Sequence, residues 1–243
     1  MLDHGQFILG DEVDEFERLF AELCGTSYAV GVNSGTDALI LSLKALGVGP
    51  GDEVITVSNS FVASTGCVAL VGASPVFIDV REDYNMDPNL IEQAITGRTK
   101  AILLVHLTGR SADMDPIMEV AEKYNLAVIE DATESLGARY RGKSVAHLGH
   151  IGCLSFNGNK MVSTGSGGMI VTDNQEWAKR ARYLTTQAKD DGEEYIHNEI
   201  GYNYRLSSLQ AAVGCAQMES IDDYVQIKRG IAARYQESLA GIT

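Results

Sequence analysis

Hydrophobic and polar positions alternate along the chain in segments that predict helices and strands in turn. Residues 11–23 carry apolar side chains on one side of a predicted helix. Short apolar runs then predict buried strands at residues 28–32, 53–57, 75–80, 100–105 and 126–129. Helical patterns lie between them, at residues 38–46, 61–71, 88–95 and 116–124. This alternation predicts an α/β fold around a mostly parallel sheet.

The last part of the chain has a different pattern. Two further strands are predicted at residues 151–156 and 169–172. From Glu176 onward the pattern is mainly helical, with long candidates at residues 206–218 and 222–239. No linker, low-complexity segment or internal repeat interrupts the sequence. An α/β unit followed by a helical tail is therefore expected.

Composition narrows the class of protein. The 243 residues are 45% hydrophobic and 21% charged, as in ordinary globular proteins. The net charge of −14 argues against a nucleic acid or an anionic membrane surface as partner. No apolar run reaches transmembrane length, no secretory signal is recognisable, and the four cysteines lack a CxxC pair. We therefore expect a cytoplasmic protein with reduced thiols.

The first motif with chemical meaning is NSGTD at residues 33–37, between a predicted strand and a predicted helix. A helix N-terminus presents free amides, and Gly35 allows an anion to approach the backbone closely. A helix capped by Ser34 after a tight turn explains the same residues without a ligand. The first strand is not followed by GxGxxG, which argues against a nicotinamide dinucleotide site.

The second motif is a pair of acids, Glu130 and Asp131, at the end of the apolar run VI. Ligands of parallel α/β sheets lie beyond the carboxyl ends of the strands. Asp131 could there pair with a cation such as a protonated ring nitrogen, or it could simply cap the following helix.

The third motif is a lone lysine, Lys160, in the segment SFNGNKMVSTGSGG at residues 155–168. A lysine with a depressed pKa can form a Schiff base with an aldehyde, and the neighbouring serine and threonine hydroxyls could bind a phosphate. A solvated surface lysine is the alternative. Taken together, a phosphate cradle, a carboxylate and a lysine are the partners that pyridoxal 5′-phosphate (PLP) requires.

Three other features are less specific. Phe61 could stack on a flat cofactor or belong to the core. His106 could line the pocket or be a packed or capping histidine. His147 and His150 lack a third ligand at recognisable spacing, so we expect no metal site.

The motifs also occur in a familiar order. The chain resembles the sugar-nucleotide aminotransferases of the DegT/StrS type, which are fold-type I PLP enzymes. The segments that carry the resemblance are GQFILG (5–10), NSGTDAL (33–39), PGDEVI (50–55), FVAST (61–65), GASPVFIDV (72–80), HLTGRSADMD (106–115), VIEDATESLGA (128–138), SFNGNK (155–160), GSGGM (165–169) and GYNYRLSSLQAA (201–212). The SFNGNK segment looks most like the branch that acts on UDP-linked 4-keto-6-deoxy-N-acetylhexosamines.

The resemblance implies a domain division. Residues 1–220 would form the large PLP-binding domain, a three-layer α/β/α unit whose N-terminal segment is shorter than usual in the family. Residues 221–243 would form a connecting helix toward a small C-terminal domain, which we expect to be absent from this chain.

The resemblance also implies roles for single residues. Lys160 would bind the cofactor covalently and then transfer the proton, and Asp131 would pair with the ring nitrogen. Glu134 lies where the family often has glutamine near the ring hydroxyl, and Phe61 would stack on the ring. The phosphate would be bound by Gly35, Thr36 and Ser155, together with Asn203 of the neighbouring subunit, so a homodimer with a shared active site is expected.

The implied reaction is transamination of a UDP- or dTDP-linked keto-deoxysugar, with glutamate as amino donor, in amino-sugar and surface-polysaccharide biosynthesis. A related branch that performs dehydration has histidine in place of the lysine, so Lys160 favours transamination. Two other functions are compatible with the sequence. One is a different PLP reaction, such as that of a lyase, and the other is an inactive large domain that binds PLP or a partner subunit.

Overall fold

The computed structural model describes residues 5–191 and 193–242. Residues 1–4, 192 and 243, which the two expected domains include, lie outside the described residues. The helices are α1 Asp11–Cys24, α2 Gly35–Ala45, α3 Val62–Leu70, α4 Ile91–Ala94, α5 Met114–Tyr124, α6 Gln175–Thr185, α7 Ser208–Met218 and α8 Ile221–Ser238. The strands are β1 Tyr28–Val32, β2 Glu53–Val57, β3 Ser74–Ile78, β4 Thr99–Val105, β5 Ala127–Asp131, β6 Arg139–Tyr140, β7 Lys143–Ser144, β8 Ile151–Ser155 and β9 Gly168–Thr172.

Seven of these strands form one sheet in the order β1-β9-β8-β5-β4-β2-β3. β9 is antiparallel to both of its neighbours, and every other adjacent pair is parallel. Six strands therefore run in one direction, and their carboxyl ends share one edge of the sheet. The prediction of an α/β fold with a mostly parallel sheet is confirmed.

Helices cover both faces of this sheet. On one face, α2, α3 and α6 pack on side chains such as Leu103, Ile129 and Cys153. On the other face, α1 and α7 pack around Leu154 and Met169, and α5 packs on Ile102. Consecutive residues of a strand point to opposite faces of the sheet, so only residues on the same face at the ends of neighbouring strands can contact one another. The expected three-layer α/β/α arrangement is confirmed.

Most element bounds agree with the sequence patterns to within one or two residues. The segment 88–95, predicted as one helix, is instead a 3₁₀ turn at Pro88–Leu90 followed by the short α4. The small hairpin of β6 and β7 was not predicted. Among the described residues, no helix is long and apolar enough to cross a membrane.

The tail forms α8, which buries no residue completely. Its first turns contact the rest of the chain through Ile221 and Val225. The division between a large domain at residues 1–220 and a connecting helix at 221–243 stays a prediction.

Candidate active site

The carboxyl edge of the sheet gathers most of the predicted site residues. β1 leads into Gly35 and Thr36, β5 ends at Asp131, and β8 ends at Ser155. β2 leads into the segment that ends at Phe61, which precedes α3. One edge therefore presents a helix N-terminus, a carboxylate and the lysine-bearing loop.

The N-terminus of α2 lies directly against the end of β8. Ser34 caps the helix, and its Oγ accepts a hydrogen bond from the Asp37 amide at 3.0 Å. A Cβ atom on Gly35 would lie 2.7 Å from the Ser155 Cβ and 3.1 Å from its Oγ. The first amides of a helix have no partner within the helix. Gly35, the half-buried Thr36 and Ser155 could therefore hold a phosphate group between them.

We expect Gly35→Ala to destabilise the protein by about 1–3 kcal/mol, because the new methyl group overpacks against Ser155. Urea unfolding measures this, and Ser155→Gly in the same chain should recover most of the loss. Gly66→Ala, in α3, is the matched control because nothing lies within 4 Å of its Cβ position. If both alanine variants were equally stable, the close approach of Gly35 and Ser155 would be wrong.

Asp131 is a buried carboxylate that has no cationic partner among the described residues. Its side chain accepts hydrogen bonds from the Ser64 hydroxyl at 2.8 Å and from the Thr133 amide at 3.2 Å. Within residues 5–191 and 193–242, no lysine, arginine or histidine forms an ion pair with it. A charge that is buried at 3% exposure and left unpaired is costly, so this position favours a cationic ligand.

Two buried thiols lie in the electric field of Asp131. Burial, and then the negative charge of Asp131, raise the pKa of the Cys67 thiol to about 12. Burial also raises the pKa of the Cys153 thiol, again with a contribution from Asp131. The surroundings of Asp131 therefore disfavour further negative charge, and both thiols stay protonated at neutral pH.

The neighbouring acid Glu130 points to the opposite face of the sheet, where it belongs to a buried hydrogen-bond network. Its oxygens accept hydrogen bonds from the amides of Ala146, Leu148 and Gly149 at 2.6–2.9 Å. The His106 Nε2 lies 2.8 Å from the same carboxylate, and the His106 Nδ1 accepts from the Ala112 amide at 3.0 Å. His106 is fully buried in this network, so of the two interpretations the packed histidine agrees with the structure.

Glu130→Gln should lower the free energy of unfolding by about 2–4 kcal/mol, because an amide NH₂ would face backbone donors in a fully buried position. The fluorescence of Trp177, the single tryptophan, reports unfolding in urea. Glu119→Gln, which removes an exposed carboxylate from α5, is the control and should change little. Equal stability of the two variants would contradict the structural role of Glu130.

The loop that carries Lys160 is held on both sides. Phe156 packs between Phe16 and Phe20 with ring centroids 5.0 and 4.8 Å away, and Val162 is fully buried in the same cluster. The amide of Lys160 donates to the Asn157 carbonyl at 2.9 Å. The packing of Phe156 and Val162 fixes the position of the loop. The lysine side chain is 20% exposed and therefore accessible to a ligand.

Lys160 lines a cavity of about 570 Å³. Glu134 lies across from it, with 4.0 Å between the lysine Nζ and the Glu134 Oε1. The Glu134 Oε2 accepts a hydrogen bond from the Thr108 amide at 3.0 Å. Ser155 also lines the cavity, which therefore connects the lysine to the α2 N-terminus. Its lining does not include Asp131, Gly35, Thr36, Phe61 or Asn203.

Phe61 and Asn203 lie apart from this cavity. The Phe61 ring is 71% exposed at the start of α3, where it is free to stack on a ligand. The exposed Asn203 accepts a hydrogen bond from Arg205 at 2.9 Å through its side-chain oxygen. A role of Asn203 toward a neighbouring subunit stays a prediction.

Several residues around the site were not predicted from the sequence. Ser64 is one, although its spacing of three from Phe61 places it near the start of the same helix. Ser60 continues the chain of hydroxyls, 2.8 Å from the Ser64 Oγ. Lys228 and Arg229 of α8 also line the cavity. The sequence pattern did not indicate them, because they resemble ordinary exposed helix residues.

Comparison with known proteins agrees with these observations. A model of the DegT/DnrJ/EryC1/StrS aminotransferase family matches residues 1–243. The GDP-perosamine synthase of Caulobacter vibrioides is 45% identical over 237 residues, which are 97% of this chain and 62% of that protein. The UDP-2-acetamido-2-deoxy-3-oxo-D-glucuronate aminotransferase of Pseudomonas aeruginosa is 44% identical over 241 residues, 98% of this chain and 67% of that protein. The chain therefore spans 62–67% of the length of these curated relatives.

The fold is also that of a solved structure, NtdA from Bacillus subtilis with the bound cofactor PMP. The two match with a TM-score of 0.90 at 36% identity, over 99% of this chain and 55% of that one. The family match over the whole chain agrees with the resemblance seen in the sequence motifs. The chain belongs to the DegT/DnrJ/EryC1/StrS aminotransferase family.

Proposed function

We propose that the chain is the cofactor-binding part of a PLP-dependent aminotransferase that acts on a nucleotide-linked keto-deoxysugar. The observation that carries the proposal is the buried, unpaired carboxylate of Asp131, at the same sheet edge as Lys160. Glu130 is satisfied by three backbone amides and His106, whereas Asp131 accepts from one hydroxyl and one amide, so its carboxylate is left to pair with a cationic ring nitrogen.

The residues present fit PLP in four respects. The contact between Gly35 and Ser155 leaves helix amides and hydroxyls for a phosphate. Asp131 supplies the carboxylate, and Lys160 supplies a partly exposed amine on a fixed loop. Phe61 supplies an exposed aromatic ring at the same edge. When bound, PLP acts as an electron sink for the carbon atom that loses a proton.

Each residue would contribute a separate task. Lys160 would bond to the aldehyde through Nζ and, once released, hold and return the proton, acting as base in one direction and acid in the other. Asp131 would keep the ring nitrogen protonated, and Ser64 and Thr133 would fix the orientation of its carboxylate. Glu134, held by the Thr108 amide, would orient the ring hydroxyl.

Two relatives support the class of substrate, since one is named for a GDP-linked and the other for a UDP-linked amino sugar. NtdA supports the cofactor, because PMP is the amine form of PLP. Glutamate is the proposed amino donor. A homodimer in the cytoplasm is proposed as the working form, with Asn203 reaching the phosphate in the partner's site.

The half-reaction with glutamate tests this proposal. Protein loaded with PLP should lose its visible absorbance on addition of L-glutamate and release one equivalent of 2-oxoglutarate, since the amine is retained on the cofactor. A nucleotide-linked keto-sugar should then restore the original spectrum. Release of free ammonia from the amino acid would instead indicate a lyase, and an unchanged spectrum would indicate a domain that binds PLP without turnover.

A further inference from the structure

One face of α8 lines the cavity that contains Lys160. The residues on this face are Val225, Lys228, Arg229 and Ala232, at the spacing i, i+3, i+4 and i+7. This is the spacing of one continuous helix face. Lys228 and Arg229 therefore face the cavity because of the register of the helix.

The register is fixed by a close contact at the base of α8. A Cβ atom on Gly137 would lie 2.7 Å from the Val225 Cγ2, and Gly137 has a φ of +81°. Only glycine adopts this backbone conformation readily and also lets the helix approach so closely. The turn after β5 therefore holds the two cations of α8 over the cavity.

Among the described residues, no carboxylate neutralises the cations on this face. Within the part of the chain that the structure describes, neither Lys228 nor Arg229 forms an ion pair or a hydrogen bond with another side chain. The charged residues of the lining are Lys160, Lys228, Arg229 and the single acid Glu134, whose carboxylate is turned toward Thr108 and Lys160. In a chain of net charge −14, this cleft is a local site for an anion.

We infer that Lys228 and Arg229 bind the diphosphate of the nucleotide-linked substrate. The inference rests on the proposed function and extends it to the residues that select the substrate. A diphosphate carries the charge that two uncompensated cations favour, and an arginine can bind phosphate oxygens in a bidentate manner. The cofactor phosphate is assigned to the separate cradle at Gly35 and Ser155, so the two anionic groups of the reaction occupy different ends of the site.

Calorimetric titration of PLP-loaded protein with UDP, dTDP and GDP tests this inference, with the matching nucleosides as probes that lack phosphate. For the nucleotide that binds best, Lys228→Gln and Arg229→Gln should each weaken binding about tenfold, and the double variant about a hundredfold. Added salt should weaken binding to the wild-type protein more than binding to the double variant. Arg234→Gln removes an equal charge from the opposite face of α8 and should leave the affinity unchanged.

Two controls separate this inference from the proposed function. The affinity for PLP should be the same in the wild-type protein and the double variant, and a loss of PLP binding would assign the cations to the cofactor phosphate and overturn the inference. Nucleoside diphosphates that bind the double variant as tightly as the wild-type protein, or that bind neither, would overturn it too. The failure of PLP to label Lys160 would overturn the proposed function, whereas the nucleotide titration, repeated on protein without PLP, still tests the inference by comparing the wild-type protein with the double variant.

Discussion

Replacing Lys160 by alanine is expected to lower transamination by about a thousandfold or more, because the same amine would bind the cofactor and transfer the proton. The substitution should leave folding intact, since the side chain is partly exposed and its nearest carboxylate oxygen is 4.0 Å away. Absorbance and single-turnover kinetics with glutamate measure the loss, and urea unfolding measures the stability.

Two other variants separate the amine from its charge. Lys160→Arg keeps the positive charge but lacks a nucleophilic amine, so it should be as inactive as the alanine variant. Lys143→Ala removes an exposed lysine from β7 and should change nothing. Retention of most activity in Lys160→Ala would show that another group transfers the proton.

The second large effect is expected for Asp131→Asn, which should lower turnover by roughly a hundredfold or more, because the ring nitrogen would lose its charged partner. The apoprotein should meanwhile be as stable as the wild-type protein or more stable, since an unpaired buried charge is removed. The asparagine oxygen can still accept from the Thr133 amide, and the Ser64 hydroxyl can turn to Ser60.

Lower turnover without any loss of stability is the result expected when the carboxylate that is removed binds a ligand. Glu130→Gln, one residue earlier, is the matched comparison and should do the reverse, lowering stability directly. Parallel urea unfolding and PLP titration of both variants make the comparison. If Asp131→Asn unfolded as easily as Glu130→Gln while binding PLP normally, Asp131 would be a structural residue.

Much of the fold could be predicted because the strands are short apolar runs bounded by turn residues. β2, for example, is the fully buried run EVITV after a Pro-Gly-Asp turn, and its predicted bounds are those observed. The segment 88–95 was less predictable, since its apolar spacing suits both a regular helix and the observed 3₁₀ turn. The two-residue strands β6 and β7 are too short to produce a periodic pattern.

Candidate site residues could be singled out where a residue type has a narrow chemical meaning. Lys160 and Asp131 are such candidates, and the structure brings their loops to one edge of the sheet, while their roles stay predictions. The sequence could not show that Glu130 and Asp131 differ so completely, because that depends on which face of the sheet each one points to. It also could not show that Lys228 and Arg229 face the cavity, since this follows from the packing of Val225 on Gly137.

The most direct test of the central claim is peptide mapping by mass spectrometry after incubation with PLP and reduction with borohydride. One stable pyridoxyl modification is expected on the peptide that contains Lys160, and it should be absent from the Lys160→Ala protein. Modification of a different lysine, or no modification in protein that has taken up PLP, would contradict the role of Lys160 as the residue that binds PLP.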